Sequence, residues 1–338
     1  MSDATISVIM PVYNGRSYLE ASVRSAAFQT LPPVEILIVD DGSADGSADF
    51  AETLETPFSK RVLRVANGGQ SRARNIAAAE AKGEFLAFLD HDDIWHRDHL
   101  RRLMEPFAKD PDLGWSYSDI DEMDHDARVV HQRLLRTLNP EAEHPKKSLY
   151  NLLASDMFIF PSAAVVRAEA FHAVGGFDER LSGYEDDDLF LRLFRAGWGN
   201  ALVPESLMRY RRHTSSSAFS ERMWQSREIF ATKLMAEFPN DRDLSRFWVR
   251  DLIAPRFYRN GLEEYVRHLA RGRHDLCALA LGVIRRYSDL SEPGLRRRFR
   301  QYFIYKLMEH PRIFSRLYKL LRRDPRFHAR RRRKPAQA

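Results

Sequence analysis

Three groups of residues in this 338-residue chain have the types and spacing to do chemistry. The first is Asp90-His91-Asp92-Asp93, which follows a short apolar run. Carboxylates separated by one residue at a strand end can turn two side chains into one crevice. Left unpaired they repel, so they suit a cation. Oxygen ligands favour a hard one, Mg²⁺ or Mn²⁺, which keeps several waters and shares substrate phosphates. A solvated acidic turn, or capping of a helix near His96, would explain the same residues. The second group is Glu185-Asp186-Asp187-Asp188, at the start of a helical pattern. One of these acids could face a crevice as a general base. Acids at a helix N-terminus also interact favourably with the helix dipole, and at least two of the four are expected to do only that. The third group is Asn67-Gly68-Gly69-Gln70-Ser71-Arg72-Ala73-Arg74-Asn75. Two glycines let the backbone approach a ligand, and a helix N-terminus beside guanidinium groups can hold an anion. A glycine-led helix entry with surface arginines fits equally well.

The elements that would position these groups alternate in type. Ile6 to Val12 reads as a buried strand, and Val34 to Val39, Arg61 to Val65 and Phe85 to Leu89 read as further strands. Ser17 to Gln29 and Ser71 to Ala81 read as helices. Repeated β–α–β units predict a mostly parallel sheet covered by helices on both faces. Ligands in such sheets bind beyond the carboxyl ends of the strands. The acidic groups and the Tyr13-Asn14-Gly15 turn fall at those ends. Further on, Trp115 to Ser118 reads as a strand, Asp119 to Asp126 as an acidic loop, and Phe158 to Val166 as one or two strands interrupted by Pro161. A helix follows Glu185 and stops at Gly197. After about Ser220 the pattern is helical.

Composition narrows the class. Apolar residues make up 44% and charged residues 30%, proportions that exclude collagen and wholesale disorder. The single cysteine, Cys277, excludes a disulfide within the chain and a cysteine-based metal site. Met1 to Thr5 carries an acid and no basic run, unlike a secretory signal, and no apolar stretch reaches the ~20 residues of a membrane span. Charge is divided unevenly. Residues 1–264 hold 32 Lys and Arg against 42 Asp and Glu, a net −10, and residues 265–338 hold 21 against 5, a net +16.

The order of these pieces resembles the family 2 glycosyltransferases. The similarity runs from about Ile6 to about His213. It is carried by Ser7-Val8-Ile9-Met10-Pro11-Val12-Tyr13-Asn14, Val39-Asp40-Asp41-Gly42-Ser43, Gly69 to Asn75, Phe88-Leu89-Asp90-His91-Asp92-Asp93, Gly175-Gly176-Phe177-Asp178 and Glu185-Asp186. The resemblance implies a GT-A fold, a Rossmann-like α/β sheet with flanking helices, over residues 1–219. A helical C-terminal region over 220–325 and a basic tail over 326–338 would follow. It implies transfer of a sugar from a nucleotide-sugar donor, with inversion, to a hydroxyl of a saccharide or lipid-linked saccharide in bacterial cell-surface synthesis. By position, Tyr13 would stack on the donor base, with Pro11 shaping that wall. Asp41 would accept from the uracil NH, Arg74 would lie near the base and diphosphate, and Asp90 would meet the ribose. Asp92 would hold Mn²⁺ or Mg²⁺ and Asp186 would be the catalytic base, with Glu185 beside it at the substrate. His213 would be a further metal or phosphate contact. The Gln-x-x-Arg-Trp motif of membrane-embedded polymerising relatives is missing from the sequence, so a single transfer per encounter is expected.

Segments from Arg296 to Arg323 mix bases with Phe299, Tyr302, Phe303, Ile304 and Leu307, then Phe314, Leu317, Leu320 and Leu321. A basic amphipathic helix of this kind suits an anionic membrane surface. Packing of its apolar face on the protein is the competing explanation. The expected location is the cytoplasm, with peripheral attachment to the inner face of the plasma membrane. Two other functions compete with this one. A nucleotidyltransferase making the sugar nucleotide should carry a glycine-rich loop and lysine where Tyr13-Asn14-Gly15-Arg16 stands. A nucleic-acid-binding protein would use the basic tail, but it leaves the acidic crevice unexplained, and the acidic body would repel a phosphate backbone.

Overall fold

A computed structural model of the chain describes residues 4–138, 142–212, 221–291 and 295–315. Its chain path separates into two compact units, residues 1–152 with 156–232 and residues 153–155 with 233–338. Among the described residues, no helix is long and apolar enough to cross a membrane.

The first unit is built on one sheet. Its strands are β1 (Ile6–Val12), β2 (Glu35–Asp40), β3 (Ser59–Arg64), β4 (Phe85–Phe88), β5 (Ile94–Trp95), β6 (Leu113–Met123), β7 (Val129–His131), β8 (Ala164–Arg167) and β9 (Gly199–Arg211). The spatial order is β3-β2-β1-β4-β8-β6-β9-β5, with β7 paired to β6. From β3 to β4 every pairing is parallel. Beyond β4 the sheet is mixed, with β8 antiparallel to both neighbours and β6 parallel to β9. Every residue of β1 and β2 is buried, as a central parallel strand covered on both faces requires.

Helices α1 (Arg16–Ala27), α2 (Ser47–Thr53) and α3 (Gln70–Glu80) link these first strands, and α4 (His99–Met104) follows β5. The short helices α5 (Leu134–Leu138), α6 (Leu149–Ala154) and α7 (Ala168–Ala173) come next, then α8 (Glu185–Arg195) and α9 (Glu221–Glu237). The second unit contains α10 (Ala254–Ala270), α11 (His274–Leu290) and α12 (Leu295–Met308). The expected tail over 326–338 lies outside the described residues.

The chain leaves β1 toward β2 and β3, then returns to β4 on the other side. That reversal opens a crevice at the carboxyl ends of β1 and β4. Pro11 helps to open it. The β1–β4 register ends at Ile9 and Phe88. A strand residue directs its N and C=O to the same side, and the Pro11 carbonyl meets His91, just past β4. A residue with no N–H therefore sits where β4 has already peeled away.

Two sequence expectations are corrected here. Asp119 to Met123 is strand and not loop, since β6 runs on to Met123, and only the end of the expected loop, residues 124–126, is a turn. The β6 acids are satisfied across the fold. Asp119 accepts from the Leu135 amide at 2.9 Å, Asp121 from the Arg133 amide at 3.0 Å, and Glu122 from Arg212 at 3.1 Å. Phe158 to Val166 holds one strand, β8, entered through a 3-10 turn at Pro161–Ala163. The 13-residue β9 was not anticipated at all.

Trp115 of β6 and Phe190 of α8 are both fully buried, with ring centroids 5.7 Å apart. This contact seats α8 against the sheet. Phe190→Ala is expected to cost about 3–5 kcal/mol, measured by urea unfolding. A loss under about 1 kcal/mol would show that α8 is held elsewhere.

Candidate active site

The loop after β1 is laced to the loop after β2. The Asn14 amide donates to Ser43 Oγ at 2.9 Å, and Asn14 Oδ1 accepts from the Ala44 amide at 2.8 Å. The Gly15 amide donates to Ser47 Oγ at 3.0 Å, and the Arg16 amide to Asp45 Oδ2 at 3.0 Å. On this ordered base Tyr13 stands half exposed, at 51%. An aromatic face held open in this way can accept a flat ring.

Asp41 is buried beside it and anchors the entry to α3. Its Oδ1 accepts from the Gly68 amide at 2.7 Å. Its Oδ2 accepts from the Gly69 amide at 2.8 Å and Asn67 Nδ2 at 3.2 Å. Gly69 has φ +92°, a conformation that a side chain would strain.

The first turns of α3 clasp the 177–185 segment, more than 100 residues away in sequence. Gln70 Nε2 donates to Glu185 Oε1 at 2.5 Å, and Ser71 Oγ to the Leu181 carbonyl at 2.7 Å. Asn75 exchanges two hydrogen bonds with the Phe177 backbone, both at 2.9 Å. At the centre is Arg74, 1% exposed. It donates to Asp90 at 2.6 Å and to Glu185 at 3.1 Å, and it lies over the Phe177 ring at 5.2 Å. Burial alone would lower the Arg74 pKa, but the two carboxylates outweigh it and the guanidinium stays charged. The family resemblance implies a place for Arg74 near the base and diphosphate, and in the fold its guanidinium lies between two protein carboxylates. It brings Asp90 and Glu185 together.

Asp90, Asp92 and Asp93 follow β4. The Asp90 amide donates to Ser162 Oγ at 3.1 Å, and Ser22 Oγ donates to the His91 and Asp93 carbonyls at 2.7 and 2.6 Å. Asp93 is buried and accepts from the Arg211 amide at 3.0 Å. Burial, then the Asp92 and Asp90 charges, raise its pKa well above the carboxylate range, against opposing hydrogen bonds from Arg211 and Ser162. Carboxylate oxygens are the ligands that a hard divalent cation takes, although Asp90 is already paired with Arg74. A second group, Asp124, His125 and Asp126, brings its ligand atoms within 4.8 Å of one another. Those residues form the β6–β7 turn. Asp124 Oδ1 accepts from the Asp126 and Arg128 amides, both at 3.0 Å, and Asp126 pairs with His125 and Arg128.

Glu185 to Asp188 open α8. Asp187 accepts from the Met157 amide at 3.0 Å, and Asp188 pairs with Arg192 at 2.7 Å, so both secure the helix. Glu185 is bound to Arg74. Asp186 is half-buried and accepts from the Asp187 amide at 2.8 Å. Burial raises its pKa well above the usual value, and the charges of Asp187 and Glu185 add to the rise. A carboxyl tuned in this way holds a proton more firmly than an ordinary carboxylate, as a general base requires. His213 lies outside the described residues. Arg211 and Ser162, which brace the acidic loop, were missed in the sequence.

His91 points back into the scaffold. Its Nδ1–H donates to the Pro11 carbonyl at 3.3 Å. A Cβ on Gly15 would lie 2.0 Å from the His91 ring. Gly15→Ala should therefore cost about 1–3 kcal/mol in urea unfolding, and most of that cost should vanish in a His91→Ala background. Simple additivity of the two changes would contradict this contact.

Comparison with known proteins bears on the family and the fold. The family model described as glycosyl transferase family 2 matches residues 7–175, half of the chain. The glycosyltransferase GlyG of Streptococcus pneumoniae serotype 4 is 27% identical over 289 residues, covering 80% of this chain and 93% of that one. The putative teichuronic acid biosynthesis glycosyltransferase TuaG of Bacillus subtilis is 38% identical over 124 residues, 36% of this chain and 48% of that one. The chain spans 31% of the length of a matching Rickettsia conorii glycosyltransferase and 58% of one from Rickettsia prowazekii. The crystal structure of S. aureus TarS 1-349 in complex with UDP superimposes with a TM-score of 0.58 at 18% identity, covering 92% of this chain and 88% of that one. That likeness establishes the GT-A fold. The chain belongs to glycosyl transferase family 2.

Proposed function

We propose that this chain transfers a sugar, with inversion, from a uridine diphosphate sugar to a hydroxyl of a cell-envelope saccharide. The observation that carries the reading is the junction at Arg74, where the acidic loop after β4 and the head of α8 meet on one guanidinium. It supports a reading in which carboxylates that would hold a cation and a candidate base share one crevice. UDP and UDP-GlcNAc are bound by TarS, which shares the fold, and TuaG is named for teichuronic acid biosynthesis.

In this reading Tyr13 stacks on the donor base, against the wall shaped by Pro11, and Asp41 accepts from the uracil NH. Asp90 meets the ribose. Asp92 would hold Mn²⁺ or Mg²⁺, with His213 as a further metal or phosphate contact. When bound, the cation neutralises charge on the leaving diphosphate. Arg74 keeps Asp90 and Glu185 in place, with Glu185 at the substrate side. The Asp186 carboxylate takes the acceptor hydroxyl proton as that oxygen bonds to the anomeric carbon. The bond from that carbon to the diphosphate oxygen breaks, and the nucleoside diphosphate leaves with the electron pair. The catalytic unit would end near residue 219. The helical region over 220–325 would set acceptor preference and let a lipid-linked acceptor be met at an anionic membrane surface.

Asp186→Asn tests the assignment. Turnover should fall about 10²- to 10⁴-fold while UDP affinity, read by calorimetry, stays unchanged. Full turnover would overturn the role. The raised Asp186 pKa also fixes a sign. In the wild type, turnover should fall with acidity at a pH above the ordinary carboxylate range, because the base must be deprotonated. The stability that protonated Asp186 supplies is lost as pH rises through its folded pKa. Asp186→Asn should therefore match or exceed wild-type melting temperature at pH 8, and a marked fall would contradict the burial argument.

A further inference from the structure

Arg211, at the carboxyl end of β9, touches three other segments. Its amide donates to Asp93 Oδ1 at 3.0 Å, and its Nε donates to the Asp92 carbonyl at 2.8 Å. Its Nη1 donates to the Asp124 and His125 carbonyls at 3.1 and 2.8 Å. The guanidinium also lies over the Tyr18 ring of α1 at 4.7 Å. The side chain is buried, so these contacts are its surroundings. One planar cation thus joins the acidic loop after β4, the β6–β7 turn and the first turn of α1. A carbonyl oxygen has no side chain to vary, so the geometry at Asp92 depends on the donor.

We infer that Arg211 is a positioning residue that fixes the Asp92 main chain against the 124–126 turn and thereby sets the direction of the Asp92 carboxylate. The inference rests on the nucleotide-sugar reading for its consequence, the metal site, but not for its geometry. Arg211 does not touch donor or acceptor in this scheme. A lysine keeps the positive charge near Tyr18 but lacks the planar fork that spans both loops. Residues that orient a metal ligand from behind typically change metal affinity about 10- to 100-fold when removed.

The test uses the full chain, as wild type, Arg211→Lys and Arg211→Met. UDP is titrated by calorimetry in chelator and then across a Mn²⁺ series. Metal-free UDP affinity should stay within about twofold of wild type, because Tyr13, Asp41 and Asp90 are untouched. The Mn²⁺ concentration giving half of the gain in UDP affinity should rise about tenfold or more in Arg211→Met and less in Arg211→Lys. Amide exchange should quicken together in residues 90–93 and 124–126 of the lysine variant, which keeps the protein testable should the methionine variant not fold. An unchanged Mn²⁺ midpoint overturns the inference, and so does an equal loss of metal-free UDP affinity, which would mark general loosening. If the wild type itself shows no Mn²⁺ gain, the nucleotide-sugar reading fails. Exchange that quickens in one loop alone then rejects the coupling as well.

Discussion

A single buried guanidinium holds the crevice together. Arg74 is surrounded by protein, and its positive charge is tolerable there because Asp90 and Glu185 share it. Breaking such a pair from one side leaves a charge stranded in a poor solvent and typically costs about 3–5 kcal/mol. The neighbouring residues of α3 reinforce the same junction. Gln70 reaches Glu185, Ser71 reaches Leu181, and Asn75 reaches Phe177. Much of what looks in sequence like an anion-binding helix entry is therefore a clasp between distant parts of the chain. The Asp41 carboxylate does similar work from the other side, holding Gly68 and Gly69 at the head of that helix.

Around this junction negative charge accumulates. Asp90, Asp92 and Asp93 crowd one loop, and Glu185 and Asp186 stand at the head of α8. Burial and mutual repulsion push Asp93 and Asp186 toward the protonated state. The same imbalance serves both halves of the proposed chemistry. In that proposal it would draw a divalent cation to the donor side and raise the proton affinity of the base on the acceptor side.

How much of this was legible in the sequence follows from where each signal resides. Strands β1, β2 and β4 were readable because burial on both faces leaves apolar runs, as in Ile36-Leu37-Ile38-Val39. The site loops were readable because they sit at the ends of those runs. β9 was not, because it is mostly half-buried and carries Pro204 and Glu205. Those two residues fall in a bulge: Val203 pairs with Ser118, and Ser206 with Asp119. A proline there breaks the pattern without breaking the strand. The acids of β6 looked like a loop because their partners, Leu135, Arg133 and Arg212, are 12 or more residues away. Arg211 carried no local signal for the same reason. Its acceptors are backbone carbonyls 86 to 119 residues away.

The most direct measurement is a panel of UDP- and dTDP-sugars with Mn²⁺ or Mg²⁺, scored by thermal shift and by nucleoside diphosphate release. The account predicts that a uridine donor raises the melting temperature only with metal present and is slowly hydrolysed without an acceptor. No stabilisation by any donor with either metal would contradict it.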